Sequence, residues 1–199
     1  SGGGGNDLLD GKGGSDLLDG GTGIDYAHYS GGVSDYFFSI QGDKTFVSNF
    51  DGLDELVNIE RIATDNGYLA LDIEGSAGQA YRLYKAAFDR IPDTTGLGYW
   101  INDMDSGVSL NGVANAFLLS AEFENLYGQN SSNDTFINAL YNNVLDRGPD
   151  ESGFLYWQNT LASGIDTRSG VLIGFSESIE NKDNLISLVS NGIAYDLWV

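Results

Sequence analysis

The 199-residue chain contains no cysteine, which excludes a disulfide framework and any thiolate zinc site. The chain has one histidine, His28, so three-histidine zinc sites are excluded. A histidine-based catalytic triad would have to contain this residue. Basic side chains are also scarce, since 9 Lys and Arg stand against 29 Asp and Glu, for a formal charge of -20. Such a chain repels nucleic acid and anionic lipid, so we expect neither as a direct partner.

Several other signals of function are missing from the sequence. No apolar run reaches membrane-spanning length, so we expect no membrane insertion, and we find no amino-terminal signal peptide. No Gly-x-x-x-x-Gly-Lys segment follows a predicted strand, and no pair of acidic residues has a context typical of a glycosidase. Hydrophobic residues make up 41% of the chain, which is enough for a packed core. We therefore expect a folded protein that is not an enzyme.

Three consecutive nine-residue blocks open the chain and cover residues 2–28. Each block has an aspartate at its sixth position, Asp7, Asp16 or Asp25, after a glycine-rich stretch. Glycine lets the backbone adopt conformations closed to other residues, so successive carbonyls can turn towards one ion. Calcium takes about six to eight oxygen ligands, which two stacked turns can supply and one cannot. A flexible Gly/Asp linker is the alternative, but a linker has no reason to keep the nine-residue phase.

The pattern Gly-Gly-x-Gly-x-Asp-x-hydrophobic-x resembles the repeat of the RTX (repeats-in-toxin) family of secreted bacterial proteins. The resemblance implies a parallel β-roll that binds Ca²⁺ between its turns. One coil takes two blocks, so we expect the turn ending at Asp7 to stack on the turn ending at Asp25, and Asp16 to pair with residues 30–35. The expected ligands are Gly3, Gly5, Asp7, Lys12, Gly14, Asp16, Gly20, Thr22 and Asp25.

Residues 34–74 predict further strands that continue or cap the roll. This segment has less glycine than a parallel stack needs, so we expect a looser, partly antiparallel extension. On the repeat strands, we expect Leu8, Leu17 and Tyr26 to point into the roll. The strands and turns predicted for the extension are strand 35–40, turn 41–43, strand 44–50, strand 56–62, turn 64–67 and strand 68–73.

From Ser76 onward, apolar residues follow a helical period, and this half of the chain repeats itself. Residues 84–100 realign with residues 141–157 and share the pattern Asp-Arg-x-Pro-Asp-x-x-Gly-x-x-Tyr-Trp. Both prolines of the chain and two of its three tryptophans occupy equivalent places. Slightly further on, Phe117, Ser120 and Glu122 match Phe175, Ser178 and Glu180. We therefore predict an α+β protein, with a β-roll domain at 1–75 and an all-α domain of two tandem helical repeats at 76–199.

The shared motif predicts the same local structure in both repeats. Proline disfavours helix in the residue before it, so the first helix of each repeat should stop near Arg90 or Arg147. The aspartate after the proline, Asp93 or Asp150, is placed to cap the next helix.

Two paired motifs in each repeat have alternative roles. The Tyr-Trp pairs at 99–100 and 156–157 lie on the second helix and are expected to fill the interior between the repeats. The Asp-Arg pairs at 89–90 and 146–147 would form a catalytic or ligand-binding pair in one interpretation. We favour the other interpretation, in which each arginine ties down its loop through carbonyls or a carboxylate.

The helical half resembles the bacterial domain of unknown function 4214, related in pattern to phycobilisome linker repeats, over about residues 55–180. The entrance of this region carries Asn58-Ile-Glu-Arg-Ile and Leu69-Ala-Leu-Asp72. The resemblance implies a place after RTX repeats in large secreted or surface proteins, and it implies no particular chemistry. The carboxyl end, 186–199, is similar to the uncleaved export signal of type I secretion substrates. Docking of Trp198 on the core is a compatible alternative.

These features predict a calcium-dependent terminal module of a large secreted RTX protein, of the adhesin or surface-layer type. Because the chain starts inside a repeat, we expect it to be a piece of a longer protein. Ca²⁺ is the expected cofactor, and an extracellular glycan or surface protein is the expected partner, with secretion or the cell surface as its location. Two alternatives remain open: a glycan- or peptide-binding module, and the passive export and folding tail of a secreted enzyme.

Overall fold

A computed structural model describes residues 1–42 and 44–197 of the chain. Across these residues the fold is α+β, with eight α-helices and eleven strands. Contacts group the chain into two units. Unit 1 contains residues 1–78, 93–105 and the chain from 188 onward, and unit 2 contains residues 79–92 and 106–187. A helix and the carboxyl end therefore group with the strands, whereas the sequence predicted them in a separate helical domain.

The strands of the described residues all belong to unit 1, and they form three sheets. The sheets are β1–β4, a five-stranded sheet in the order β11-β10-β9-β5-β2, and a four-stranded sheet in the order β3-β8-β7-β6. The strands are β1 (Gly3–Gly4), β2 (Leu8–Leu9), β3 (Leu17–Asp19), β4 (Gly21–Thr22), β5 (Tyr26–Tyr29), β6 (Phe37–Gln41), β7 (Lys44–Ser48), β8 (Leu53–Val57), β9 (Arg61–Thr64), β10 (Gly67–Ala70) and β11 (Ile193–Tyr195).

Parallel pairing occurs where the repeat strands stack. β1 pairs with β4, β2 with β5, β5 with β9, and β3 with β8, all in parallel. The pairs β6–β7, β7–β8, β9–β10 and β10–β11 are antiparallel. The amino-terminal region is therefore a set of mixed sheets and not clearly a parallel β-roll, while the expected partly antiparallel extension is present.

The core side of the repeat strands differs by one residue from the prediction. Leu8 and Leu17 are 67% and 66% exposed, and Tyr26 is half-buried. Leu18 and Ala27, the next residues along β3 and β5, are buried in the core. Successive side chains of a strand point to opposite faces, so choosing the wrong neighbour reverses the direction of each predicted side chain. The core of these sheets comprises Leu18, Ala27, Tyr29, Val47, Leu56, Ile59, Ile62, Leu69 and Leu71.

The extension contains one break that the sequence pattern did not indicate. The predicted strand 56–62 is wrong, because β8 ends at Val57 and β9 begins at Arg61. Asn58 lies between them with a φ of 52°, a left-handed conformation that turns the chain. The predicted turn 41–43 joins β6 to β7, and its Asp43 lies outside the described residues.

The helices begin and end close to the predicted positions. The first helix of each repeat ends at Phe88 or Leu145, two residues before the predicted arginine. The residues that follow, Asp89 and Asp146, adopt left-handed φ values of 49° and 51°. The helices are α1 (Ser76–Phe88), α2 (Thr94–Asp105), α3 (Leu110–Leu118), α4 (Ala121–Tyr127), α5 (Asn133–Leu145), α6 (Glu151–Ala162), α7 (Arg168–Ser176) and α8 (Ile179–Val189).

The predicted caps of α2 and α6 are confirmed. Asp93 Oδ1 accepts the Gly96 N–H at 2.7 Å, and Asp150 Oδ1 accepts the Gly153 N–H at 2.9 Å. These bonds satisfy amide groups that a helix leaves unpaired at its amino end.

The Tyr-Trp pairs are only partly interior. Tyr156 is 61% exposed, so its predicted place in the interior is wrong. Trp157 is half-buried, and its ring centroid lies 5.4 Å from that of Phe175. Tyr99 and Trp100 are half-buried as well.

The motif arginines tie down their loops, as predicted. Arg90 Nε donates to Glu122 at 2.7 Å, and Arg147 Nε donates to Glu180 at 2.6 Å. Each guanidinium also lies over a tyrosine of its own repeat, Tyr84 or Tyr141. The two glutamates are the residues matched between the repeats by sequence, so each pair joins the two matched parts of its repeat unit.

The described residues that follow α8 contain a strand. After α8, Ile193–Tyr195 form β11, which adds to the edge of β10. The predicted docking of Trp198 concerns a residue outside the described ones.

Candidate metal centre

The turns that precede β2 and β5 lie directly on one another, as predicted. Gly3 pairs with Gly21 in parallel register, and the Gly3 N–H donates to the Gly20 carbonyl at 2.9 Å. The Gly5 N–H donates to the Thr22 carbonyl, also at 2.9 Å. A β-carbon at Gly21, which has a φ of 101°, would lie 2.0 Å from the Gly3 oxygen. The stacking therefore requires glycine at this position.

Three carboxylates follow one another along this stack, which we call the first ladder (Asp7, Asp25 and Glu60). The Asp7 N–H donates to Asp25 Oδ1 at 2.8 Å, and the Asp25 N–H donates to Glu60 Oε2 at 2.9 Å. One oxygen of Asp25 and one of Glu60 are therefore used to hold the preceding turn. Asp7 and Asp25 were predicted, whereas Glu60 was not.

The remaining oxygens of the two aspartates are the unusual feature of the first ladder. Asp7 Oδ2 and Asp25 Oδ2 are both buried and have no hydrogen-bond partner, and the Asp25 residue is 0% exposed. An ionised carboxylate in such a place is costly unless a positive charge or hydrogen-bond donors compensate it. The ladder therefore has the donor atoms and the uncompensated charge that a bound cation would satisfy.

Backbone oxygens lie beside these free carboxylate oxygens. The point where a β-carbon of Gly2 would sit is 2.5 Å from Asp7 Oδ2 and 2.7 Å from the Gly20 carbonyl oxygen. A side chain at position 2 would fill this space, whereas glycine leaves it open beside the two oxygen atoms. Carboxylate and carbonyl oxygens are the ligands that Ca²⁺ prefers. The residues present therefore fit a calcium ion.

The other turn of the first coil pairs with a different segment from the one predicted. Asp16 does not pair with residues 30–35, because its N–H donates to Asp54 Oδ1 at 2.9 Å and Leu17 pairs with Glu55. Residues 49–57 read Asn-Phe-Asp-Gly-Leu-Asp-Glu-Leu-Val, with Gly, Asp and Leu at the fourth, sixth and eighth positions of the nine-residue pattern. This segment is a diverged fourth block, and its phase was the signal that sequence reasoning missed.

Residues 30–35 have a separate role. Their Gly31 N–H donates to Asp65 Oδ2 at 2.7 Å, and Asp35 accepts the Gly32 N–H at 2.7 Å. They therefore form the turn between β5 and the inserted hairpin β6–β7, next to the loop that follows β9.

In the second ladder, Asp16 and Asp54, both oxygens of Asp54 accept hydrogen bonds, unlike those of Asp25 in the first ladder. Asp54 Oδ2 accepts the Tyr29 hydroxyl at 2.9 Å. Burial and this hydrogen bond to Asp54 raise the pKa of Tyr29, so the tyrosine stays a donor. The predicted residues Lys12 and Gly14 line a polar pocket here, together with Asn49, Asp51 and Asp54. The nine predicted ligands thus divide between two stacks of turns.

Electrostatics distinguish Glu60 within the first ladder. Burial raises the pKa of Glu60; the hydrogen bond from the Asp25 N–H opposes this rise, and the negative charge of Asp25 adds to it. Among the described residues, no group of three or more His, Cys, Asp and Glu side chains is arranged as a metal cluster. The first ladder differs from such a cluster, because its carboxylates are spaced one per turn and Asp7 and Asp25 each lie next to a backbone carbonyl oxygen.

A second group of buried charges lies in unit 1 at Arg61, which is 0% exposed. Arg61 Nη2 donates to both oxygens of Asp105 at 2.9 Å, and Arg61 Nη1 donates to Asp72. Asp72 also accepts the Ala77 N–H at the start of α1, and Ser76 donates to Asp105. This cluster joins β9 to the start of α1 and the end of α2, so its arrangement is that of a structural ion pair.

Comparison with known proteins places one part of the chain. A family model described as a domain of unknown function (DUF4214) matches residues 114–185, which lie within the helical half and do not include the nine-residue blocks at 2–28. No curated protein matches the chain. Among solved structures, the extracellular lipase LipA from Serratia marcescens is similar over 35% of this chain, with 18% identity and a TM-score of 0.29. The similar part spans only 14% of the lipase chain, and a likeness this weak supports no functional argument.

None of the helices in the described part of the chain combines the length and the apolar character needed to span a membrane.

Proposed function

We propose that this chain is a calcium-dependent module of a secreted bacterial protein, in which Ca²⁺ bound between RTX-type turns completes the fold of unit 1. The observation that carries the proposal is the pair of buried carboxylate oxygens, Asp7 Oδ2 and Asp25 Oδ2, that have no partner. Divalent cations bound beside these oxygens would compensate their charges and would also be coordinated by the neighbouring backbone carbonyls. The module itself is proposed to be non-catalytic.

The charge distribution gives this proposal a physical basis. Residues 1–75 carry 14 acidic side chains against three basic ones. Without a cation, mutual repulsion opposes stacking of the turns, which suits a chain that stays unfolded where calcium is scarce. Where Ca²⁺ is in hundredfold excess over its dissociation constant, each site stabilises the fold by about 2.7 kcal/mol. Two sites would contribute about 5 kcal/mol, comparable with the whole stability of a small domain, about 5–15 kcal/mol.

The remaining parts of the proposal concern export and partners. The carboxyl end is proposed to act as a type I export signal, and the mature location is proposed to be outside the cell or on its surface. The helical repeats are proposed to be the part of the module that binds an extracellular glycan or surface protein. Four of the five tyrosines of unit 2 are buried, and the fifth, Tyr156, is exposed. A glycan array that compares the wild-type chain with Tyr156→Ala therefore tests glycan binding by this unit.

Calcium removal tests the proposal directly. We expect the full chain in CaCl₂ to melt roughly 10 °C or more above the same chain in EGTA, since two sites would contribute about 5 kcal/mol and 1 kcal/mol corresponds to about 2–4 °C for a chain of this length. Circular dichroism should show that unit 1 loses structure while much of the helical signal of unit 2 persists. Equal melting temperatures and spectra in CaCl₂ and EGTA would contradict the proposal.

A double variant assigns the effect to the first ladder. Asp25→Asn keeps an oxygen that can accept the Asp7 N–H, and combined with Asp7→Asn it removes both negative charges. We expect this variant to lose most of the calcium-dependent rise in melting temperature. Asp183→Asn, an exposed residue of α8, makes the same chemical change outside the ladder and should keep the full rise. An unchanged calcium response in the double variant would remove the first ladder from the proposal.

A further inference from the structure

We propose that a second cation position joins the last repeat turn to the bend at residues 58–60, with the Asp25 and Glu60 carboxylates and the Asn58 carbonyl as its protein ligands. The inference rests on the proposed calcium function and extends it to residues outside the repeats. The bend belongs to the segment between β8 and β9, where the nine-residue pattern has ended.

The backbone of the bend continues the stack by one further coil. The Gly2 N–H donates to the Asp19 carbonyl at 2.9 Å, and the Gly20 N–H donates to the Val57 carbonyl at 3.1 Å. The same hydrogen bond thus recurs one coil later. Asn58 therefore stacks on Gly20 in the same way as Gly20 stacks on Gly2.

The oxygen arrangement recurs with the backbone. A β-carbon at Gly20 would lie 2.7 Å from Asp25 Oδ2 and 2.1 Å from the Asn58 carbonyl oxygen. At Gly2 the corresponding neighbours are Asp7 Oδ2 and the Gly20 carbonyl oxygen. Each glycine therefore leaves room beside one carboxylate oxygen of its own turn and one carbonyl oxygen of the next. Asn58 accepts a left-handed φ of 52°, which is uncommon for a residue with a side chain.

Glu60 replaces the aspartate that a full turn would provide. The turn from Gly20 to Asp25 has six residues, whereas the bend reaches its carboxylate in three. The longer glutamate side chain reaches the Asp25 N–H at 2.9 Å, just as Asp25 reaches that of Asp7. The Asp25 carbonyl in turn accepts the N–H groups of Glu60 and Arg61 at 3.1 and 3.0 Å. The shortened turn therefore keeps the ladder intact.

The need for a cation is greater here than at the first position. Asp25 is 0% exposed, whereas Asp7 is half-buried, and the Oδ2 atom of each is unpartnered. Arg61 follows Glu60 in sequence, but its Nη atoms donate to Asp72, Asp105 and the Glu60 carbonyl. A divalent cation held by Asp25 and Glu60 would balance their two charges. It would also fix the repeats to β9, the strand that carries Arg61.

Native mass spectrometry of the full chain during a Ca²⁺ titration tests this position. We expect Glu60→Gln to reduce the number of tightly bound ions by one, or to weaken one ion by about tenfold or more, since affinity follows the number of charged ligands. Asp7→Asn should affect a different ion, so combining Asp7→Asn with Glu60→Gln should affect both ions. Asp183→Asn, an exposed change in α8 outside both ladders, should bind as the wild type does.

The outcomes separate this inference from the proposed function. A wild-type chain that binds no Ca²⁺ would overturn both. A wild-type chain that binds Ca²⁺, with Glu60→Gln giving the same count and affinities, would overturn only the second position. Circular dichroism checks that Glu60→Gln folds in saturating Ca²⁺. If it does not fold, Glu60→Asp decides: the shorter carboxylate should weaken one ion by about tenfold, and unchanged affinities would refute the inference.

Discussion

Replacing Arg61 by methionine gives the sharpest test of how unit 1 is held together. Arg61 is 0% exposed, and its guanidinium donates to Asp105 and Asp72. Methionine keeps much of the side-chain volume but leaves both carboxylates without their cation. Removing one partner of a buried pair costs about 3–5 kcal/mol, because an uncompensated buried charge remains. The Ala77 N–H on Asp72 and the Ser76 hydroxyl on Asp105 remain in place, so we expect a loss near 3 kcal/mol.

The pH dependence of this loss carries the reasoning further. Burial already raises the pKa of Asp72, although Arg61 opposes this effect. Without Arg61, the pKa of Asp72 in the folded chain should rise further above its unfolded value. A carboxyl whose folded pKa is raised stabilises the fold at low pH, and that contribution is lost as pH rises through the folded pKa. The variant should therefore recover part of its lost stability as the pH falls from 8 to about 5.

Urea denaturation in saturating Ca²⁺, followed by circular dichroism, measures both effects. Arg147→Met is the matched control, because its pair with Glu180 is exposed and pairs of that kind contribute about 0.2–1 kcal/mol. A loss below about 1 kcal/mol for Arg61→Met, or a loss that grows as the pH falls, would refute the account of Arg61 as a structural ion pair.

Two further comparisons use matched neighbours within the repeats. Gly21→Ala should destabilise unit 1 more than Gly14→Ala, although both have φ near 100°, because a β-carbon at Gly21 meets the Gly3 oxygen at 2.0 Å and one at Gly14 meets no atom within 4 Å. Thermal melting in CaCl₂ measures the difference, and equal melting temperatures would show that the turns are not stacked at Gly21. Leu18→Ala should cost about 2–5 kcal/mol and Leu17→Ala less than about 0.5 kcal/mol, since only Leu18 lies in the core. The reverse order in urea denaturation would place the other face of β3 inside.

The nine-residue phase was enough to predict which turns stack where the blocks are contiguous. Asp7 lies against Asp25 because one coil separates them and no insertion intervenes. Asp16 could not be assigned in the same way, because the next coil contains the hairpin β6–β7 before its second turn. Chain proximity favoured residues 30–35, whereas the partner, Asp54, lies beyond the insertion. Glu60 was not predicted for a related reason. Its three-residue bend places a carboxylate on the Asp25 N–H as a full turn would, but it lacks the nine-residue pattern.

The helical repeat shows a different limit of sequence reasoning. The equivalent helices α2 and α6 are each capped by the aspartate of the shared motif. The contacts nevertheless place α2 in unit 1 and α6 in unit 2. Gly98 of α2 corresponds to Leu155 of α6, and a β-carbon at Gly98 would lie 1.7 Å from the Asp196 carbonyl oxygen. The glycine thus permits the carboxyl end to approach α2, where a leucine would prevent it. The substitution is visible in the sequence, but its meaning depends on a segment about 100 residues away.

Unit 2 and residues 1–75 differ in how their acidic side chains are paired, and this difference is the basis for proposing calcium at the amino-terminal end. In unit 2, Glu122, Glu177 and Glu180 each pair with an arginine. Residues 1–75 have only three basic side chains: Lys44 pairs with Glu55, Arg61 with Asp72 and Asp105, and Lys12 lies beside the second ladder. Asp7 and Asp25 therefore have buried oxygens at the place where the sequence supplies no basic partner. A cation taken from solution would make the order of these turns depend on its concentration, which an arginine could not do.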